Sequence, residues 1–70
     1  MPIIRIEITR EGATAAQKAA LIRGATALVA DVLGKDPALT FVVVEEIDTA
    51  NWGVAGESVA ALRERAQARR

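Results

Sequence analysis

Between Ile4 and Thr9, isoleucine occupies every second position and polar residues fill the positions between. A period of two is typical of a strand with one buried face, so we predict a β-strand over residues 4–9. Farther along, Phe41-Val42-Val43-Val44 is a continuous apolar run. A run without alternation is typical of a strand that is buried on both faces. It predicts a second strand over residues 39–47.

The segment between these strands has the pattern of a helix. Thr14 and Gln17 form the sequence of a capping box, which marks a helix N-terminus. Gly34, with Pro37 shortly after it, marks the C-terminus. Between them, apolar residues recur at helical spacing at Leu21, Ala25, Leu28 and Val32, widened by Ile22, Val29 and Leu33. We therefore predict a helix over residues 14–33.

Strand, helix and strand of these lengths predict a right-handed βαβ unit with two parallel strands. One helix covers one face of a two-stranded sheet, and we predict no segment of the chain to cover the other face or the two edges. The monomer should therefore be unstable alone. We expect an obligate homo-oligomer that extends the sheet and buries its second face.

The C-terminal third of the chain combines turn-forming residues with a segment whose composition favours helix. Residues 48–56 are rich in turn formers and contain Trp52, and Gly53 and Gly56 indicate a tight hairpin or a loop packed against another surface. Residues 58–68 are rich in Ala, Leu, Arg and Glu, which favours helix. Seventy residues allow one domain. We predict a single α+β domain over residues 1–70, with a βαβ unit, a parallel two-stranded sheet and a C-terminal hairpin.

Composition excludes several kinds of chemistry. The chain has no cysteine and no histidine, so we expect no thiol catalysis, no disulfide and no metal site. The formal net charge is zero, so neither nucleic acid nor an anionic membrane is an expected partner. No signal peptide or membrane span is recognisable, and the expected location is cytoplasmic. The C-terminal arginines, which lack interleaved aromatic residues, are interpreted as a solvated tail. They are Arg63, Arg65, Arg69 and Arg70.

Pro2 has the most distinctive chemistry in the chain, because it directly precedes the first strand. If Met1 is removed, the Pro2 nitrogen becomes a free secondary amine, and α-amino groups titrate near pH ~8, far below lysine.

Other candidate residues have ordinary structural interpretations when each is considered alone. Arg10 is then expected to be a solvated turn residue, and Trp52 is expected to lie in an interface. Glu45 and Glu46 are adjacent on a strand, so we expect them on opposite faces, solvated or ion-paired.

Several segments together resemble a known family. Met1-Pro2 runs straight into the first strand, the helix carries Gln17-Lys18 and Leu21-Ile22-Arg23, and Pro37 precedes the second strand. Residues 51–57, Asn-Trp-Gly-Val-Ala-Gly-Glu, resemble an aromatic-Gly-x-Gly-Gly-Glu hairpin. In this order and spacing the chain resembles the short-chain members of the tautomerase superfamily, the group of 4-oxalocrotonate tautomerase.

The resemblance implies that Pro2 is the catalytic base after removal of Met1, and that Arg10 and Trp52 bind the substrate. It also implies homohexamers, built as trimers of dimers, with active sites shared between subunits. The activity would be that of a cofactor-independent isomerase, which transfers a keto–enol proton on a small unsaturated 2-oxo or 2-hydroxy acid. Two positions depart from the family pattern. Residues 40–44 lack the family's second arginine, and Ala55 replaces the first glycine of the hairpin pair.

Two alternatives remain at this point. A protonated Pro2 would act as a general acid in hydration of an unsaturated acid, as in the dehalogenases and decarboxylase of the superfamily. A second alternative is a non-catalytic oligomer that binds a small apolar ligand at its interfaces. The state of the N-terminus separates enzyme from binding protein, because a Pro2 that is still acylated by Met1 has no basic nitrogen.

Overall fold

The computed structural model describes residues 1–68. Its elements, in chain order, are β1 Ile3–Thr9, α1 Ala15–Leu33, β2 Phe41–Ile47, β3 Gly53–Val54, β4 Glu57–Ser58 and α2 Val59–Ala68. Short 3₁₀ turns cover Pro37–Leu39 and Thr49–Asn51. The strands β1 and β2 pair in parallel, and β3 and β4 form an antiparallel hairpin. The predicted α+β fold is confirmed, and the segment after the hairpin, whose composition favours helix, forms α2.

The ends of α1 follow from the local chemistry of the residues that cap it. The Thr14 hydroxyl accepts a hydrogen bond from the backbone N–H of Gln17 at 3.1 Å, and the Gln17 side chain accepts one from the Thr14 N–H at 2.9 Å. At the other end, Gly34 takes the left-handed conformation with φ 64°, which a glycine adopts without steric cost. The predicted start and end of this helix are therefore confirmed.

The predicted start of the second strand was wrong by two residues. Leu39 belongs to the 3₁₀ turn, and β2 begins at Phe41. The Asp36 carboxylate accepts a hydrogen bond from the Ala38 N–H at 2.9 Å, and Pro37 suits the first position of the turn because its φ is already helical. This side-chain cap turns the backbone away from the strand until Thr40.

Helix α1 covers one face of the β1–β2 sheet and leaves the other uncovered. Ile4, Ile6, Val42 and Val44 lie half-buried on the covered face. The uncovered face, which we call the open face, carries exposed side chains from both strands. They are Ile3, Arg5 and Glu7 of β1 and Phe41, Val43 and Glu45 of β2. The prediction that the chain leaves one sheet face bare is confirmed.

The apolar stripe of α1 is wider than the sheet can cover. Val29 and Ala25 are half-buried, whereas Leu28 and Val32 are 63% and 68% exposed. Within the described part of the chain, Val59 is the one buried residue. The radius of gyration is 16.1 Å, against about 11 Å for a compact chain of this length. The protomer is therefore an open plate without an interior of its own.

In the part of the chain covered by the structure, no helix combines the length and the hydrophobicity that a bilayer span requires.

Candidate active site

Pro2 lies at the edge of the sheet where both parallel strands begin. Its carbonyl oxygen accepts a hydrogen bond from the Phe41 N–H at 2.9 Å, which extends the strand pairing to the residue before β1. Pro2 is half-buried, and Met1, which precedes it, is 80% exposed. The backbone of Pro2 is therefore fixed while its nitrogen side remains accessible.

Phe41 is a neighbour of Pro2 that the sequence reasoning did not name. It is paired with Ile3 in the register of the two strands, and its side chain is 48% exposed. The signal was present in the predicted topology, because parallel strands joined by a crossover begin at the same edge of the sheet. The backbone of Phe41 thus lies beside the residue with the candidate base, and its side chain belongs to the open face.

Arg10 lies just after β1, at the end of the sheet where both strands finish. Its backbone N–H donates to the Ile47 carbonyl at 2.8 Å, which continues the strand pairing. Its guanidinium contacts the Asp48 carboxylate at 3.1 Å and donates to the Glu46 carbonyl at 3.3 Å. The side chain is still 61% exposed, so it has donors left for a further anion.

Trp52 follows β2 and is half-buried. Its carbonyl accepts a hydrogen bond from the Val59 N–H at 2.8 Å, and so joins the hairpin to the start of α2. Trp52 and Arg10 therefore both belong to the edge where the strands end. The structure separates them from Pro2, which lies at the beginning of the same strands, roughly 26 Å from Arg10 at about 3.3 Å per residue.

Glu45 and Glu46 point to opposite faces of the sheet, as predicted, and both are ion-paired. On the covered face, Lys18 Nζ of α1 contacts Glu46 Oε1 at 2.5 Å, and only a fifth of the Glu46 side chain is exposed. This hydrogen bond from Lys18 lowers the pKa of Glu46, and the charge of Arg10 acts in the same direction. On the open face, Glu45 lies 3.9 Å from Arg5.

Two ion pairs hold the second helix against the rest of the chain. Arg63 contacts Glu11 at 2.9 Å, which ties α2 to the loop that carries Arg10. Arg65 binds both oxygens of Glu57, which lowers the pKa of that carboxyl. These two arginines are thus paired rather than gathered in a basic patch, while the other two of the predicted tail, Arg69 and Arg70, lie outside the described residues.

The hairpin between Trp52 and α2 turns through two residues with positive φ. Ala55 has φ 54° and Gly56 has φ 87°. Two such residues in a two-residue loop form a type I′ turn, which matches the twist of the flanking strands. Glycine is the usual residue there, so Ala55 holds a conformation that costs an L-residue about 1–2 kcal/mol.

Comparison with known proteins gives consistent matches over nearly the whole chain. The family model described as "Tautomerase enzyme" matches residues 2–62. "Probable tautomerase K2" from Dickeya dadantii is 52% identical over 66 residues, which cover 94% of this chain and 98% of the relative. This chain belongs to the tautomerase family.

Solved structures of the tautomerase family share the fold of this chain. The crystal structure of DmpI from Helicobacter pylori has a TM-score of 0.84 at 42% identity, over 90% of this chain and 97% of that one. A heterohexameric 4-oxalocrotonate tautomerase from Chloroflexus aurantiacus has a TM-score of 0.81 at 33% identity, over 90% of this chain and all of that one. The tautomerase resemblance derived from the sequence is confirmed.

Among the described residues, no three acidic, histidine or cysteine side chains are grouped closely enough to hold a metal ion. The candidate groups are the Pro2 nitrogen where the strands begin and, where the strands end, the Arg10 guanidinium and Trp52.

Proposed function

We propose that this protein is a cofactor-independent tautomerase that uses Pro2 as its general base after removal of Met1. The observation that carries the proposal is the position of Pro2. It is anchored through its carbonyl to Phe41 at 2.9 Å, it keeps an accessible nitrogen side, and the family match begins at this residue. We also propose that residues 1–70 form one domain and that the protein acts in the cytoplasm.

The proton transfer needs one group that is free to take and return a proton near neutral pH. Desolvation and a nearby cation, such as Arg10 of another copy, both disfavour the ammonium form and would favour a neutral Pro2 amine. The neutral amine takes the hydroxyl proton of the enol and leaves an enolate. The electron pair of the enolate C=C bond then takes the proton from the prolinium as the C=O bond forms, which regenerates the base.

The second part of the proposal is that a complete site contains residues of different subunits. Arg10 and Trp52 lie at the opposite sheet edge from Pro2, too far to reach the same small molecule. Arg10 of another copy would bind the substrate carboxylate or the developing enolate oxygen. Trp52 of another copy would exclude water. A homohexamer, built as a trimer of dimers, supplies such neighbours, and a structural relative is itself described as a heterohexamer.

The candidate anion-binding groups indicate the substrate class. In strand β2, where the resemblance leads one to expect a second arginine, this chain has Phe41 and three valines. One arginine binds one carboxylate well, whereas Phe41 favours an apolar group. We infer a small unsaturated 2-oxo or 2-hydroxy acid with a single carboxylate and an apolar tail.

An N-terminal extension tests the assignment of the base. The intact mass of the purified protein establishes whether Met1 is removed. A variant with a few residues added before Pro2 has an amide nitrogen at this position and should lose ketonisation of an aryl enolpyruvate almost entirely. The matched control carries the same added residues after Arg70 and should keep full activity. Full activity of the N-terminally extended protein would show that Pro2 is not the base.

A further inference from the structure

The side chain of Arg10 is held by the residues that end strand β2. Its backbone N–H donates to the Ile47 carbonyl at 2.8 Å, which fixes the point at which the side chain leaves the sheet. From there, Nε contacts Asp48 Oδ1 at 3.1 Å, and Nη2 donates to the Glu46 carbonyl at 3.3 Å. Three successive residues therefore contact Arg10 and restrict the rotation of its guanidinium.

The two side-chain contacts use one edge of the guanidinium, the edge that Nε shares with Nη2. Within residues 1–68, Nη1 makes no hydrogen bond or ion pair. Because the guanidinium is planar, the N–H groups of Nη1 and the second N–H of Nη2 point in fixed directions away from Asp48. A carboxylate accepts two parallel N–H bonds from such a pair of donors. The contact with Asp48 therefore determines the direction in which Arg10 presents its remaining donors.

Asp48 differs from Asp36, although both occupy the N-cap position of a 3₁₀ turn next to β2. The Asp36 carboxylate accepts a hydrogen bond from the Ala38 N–H at 2.9 Å, as an aspartate at an N-cap usually does. The Asp48 side chain makes no such bond, and its carboxylate contacts Arg10 instead. Capping of the turn therefore does not account for this carboxylate, whereas orientation of Arg10 does.

We propose that Asp48 is a positioning residue for Arg10 and holds the guanidinium so that Nη1 and Nη2 face the carboxylate of the substrate. The inference rests on the proposed function, in which Arg10 of one copy completes the site around Pro2 of another. The two side chains are 61% and 63% exposed, and an exposed ion pair contributes little to stability. The contact would act on binding instead, since an arginine that is already oriented loses less side-chain freedom when it binds an anion.

Two substitutions separate orientation from charge. Asp48→Ala removes the contact and should lower kcat/KM for an aryl enolpyruvate about three- to tenfold, through the same parameter, kcat or KM, that Arg10→Ala changes. Asp48→Asn keeps a side-chain oxygen that accepts the Nε–H and should retain more than about half of the wild-type value. An alanine variant at least as active as the wild type would overturn the proposal. So would an asparagine variant as impaired as the alanine variant, because charge and not orientation would then be the contribution.

Two further proteins control for effects of charge and folding. Asp31→Ala makes the same change at an exposed residue of α1 that has no ion pair within residues 1–68, and it should be fully active. If Asp48→Ala does not fold, Asp48→Ser takes its place in each comparison. Its hydroxyl suits an N-cap but is carried on a shorter side chain than the carboxylate that contacts Arg10. Circular dichroism and oligomer size check each variant.

A double variant shows whether Asp48 acts through Arg10. Arg10→Ala/Asp48→Ala should be as active as Arg10→Ala alone, because no guanidinium remains for Asp48 to orient. A further loss as large as that of Asp48→Ala alone would overturn the proposal. The same order of variants should appear in the Kd of hydrocinnamate, a saturated aryl monocarboxylate, measured by Trp52 fluorescence. This binding does not require Pro2 to act as a base.

The single variants also separate the role of Asp48 from that of Arg10. If Arg10→Ala lowers both activity and hydrocinnamate binding while Asp48→Ala changes neither, only the role of Asp48 is overturned. If Arg10→Ala itself leaves both unchanged, the substrate-binding role of Arg10 in the proposed function is contradicted, and the role of Asp48 with it.

Discussion

Pro2 and Arg10 lie at the two ends of the same strand, with the whole of β1 between them. Pro2 pairs with Phe41 where the strands begin, and Arg10 pairs with Ile47 where they end. Both residues are anchored by backbone hydrogen bonds to β2, so no side-chain rearrangement brings them together in one protomer. If both act on one substrate, they belong to different copies.

The first prediction follows from this separation. Arg10→Ala should lower kcat/KM at least tenfold, which is about 1.4 kcal/mol of transition-state stabilisation, with unchanged oligomer size and circular dichroism. Mixing this variant with an N-terminally extended protein should restore activity. At random assembly, about a quarter of the sites combine an intact Pro2 with an intact Arg10 from another copy.

Two control measurements complete this experiment. Arg65→Ala removes an arginine from an ion pair on α2 and should leave kcat/KM near the wild-type value. The activity of the mixture should appear only after dissociation and reassembly, since a mixture of intact oligomers contains no hybrid sites. A mixture that stays inactive despite proven subunit exchange would contradict a site shared between copies.

A second prediction concerns the pH dependence of the base. The chain has no histidine, so an ascending limb of kcat/KM near neutral pH would report the Pro2 amine. Pro2→Ala, once Met1 is removed, leaves a primary amine of similar basicity but greater freedom, and activity should fall substantially without vanishing. An unchanged pH profile in the N-terminally extended protein would assign the limb to another group.

Trp52 provides an optical measurement of substrate binding. It is the only tryptophan, so fluorescence reports on this residue alone. A saturated analogue with one carboxylate, which cannot tautomerise, should change the emission, and Arg10→Ala should weaken that binding at least tenfold. An analogue in which an amide replaces the carboxylate serves as the control and should bind weakly to both proteins. Equal affinity of wild type and variant would remove Arg10 from the site.

The contact between Lys18 and Glu46 predicts an acid-sensitive link between α1 and β2. The hydrogen bond from Lys18 lowers the pKa of Glu46 below its ordinary value of 4.5. The carboxylate therefore stabilises the fold above pH 4.5, and this contribution is lost as the pH falls through the lower, folded-state pKa. Glu46→Gln should reduce the melting temperature at pH 7. It should also make the melting temperature decline less steeply as the pH falls below 4.5.

The matched control for this change is Glu64→Gln, on the exposed surface of α2. It removes the same charge from a residue with no ion pair among the described residues and should leave the melting curve nearly unchanged. Both variants need measurement at one protomer concentration, because the stability of an oligomer depends on it. Equal effects of the two substitutions would reduce the Lys18 contact to a surface ion pair of little weight.

The type I′ turn predicts opposite effects of two reciprocal substitutions. Ala55→Gly removes the strain of an L-residue at positive φ, but it also makes the unfolded chain more flexible. Because the two effects partly cancel, the free energy of unfolding should rise by up to about 1 kcal/mol. Gly56→Ala introduces the same strain and should lower it by about 1–2 kcal/mol. Denaturant unfolding checks both, and a loss of stability in Ala55→Gly would contradict the strain.

Features set by neighbouring residues could be predicted from the sequence, whereas features set by distant contacts could not. The bounds of α1 depend on Thr14, Gln17 and Gly34, all within a few residues of the helix ends. The start of β2 was predicted two residues too early, because Leu39 is apolar and continues the hydrophobic pattern of the strand. The hydrogen bond between Asp36 and Ala38 instead holds the backbone in a 3₁₀ turn. A polar side chain that caps a short turn leaves no periodic signal.

The same distinction applies to the candidate site. Pro2, Arg10 and Trp52 were predicted from the resemblance of their segments to the family pattern, and their catalytic roles stay predictions. The position of Phe41 beside Pro2 depends on the strand register, and the contact of Arg10 with Asp48 depends on the pairing of β1 with β2. Leu28 and Val32 show the remaining limit, because apolar spacing identifies residues that avoid water but not the surface that covers them.

Val59, the single buried residue among residues 1–68, has a consequence for how the chain reaches its native state. A protomer without an interior gains little free energy by folding alone, so folding and association would occur as one reaction. Refolding should then be at least second order in protein concentration, and therefore faster at higher concentration. A newly synthesised chain would need to associate with other copies in order to fold. Substitutions at outwardly exposed positions such as Leu28 would act on abundance in the cell, as core substitutions do in a monomeric protein.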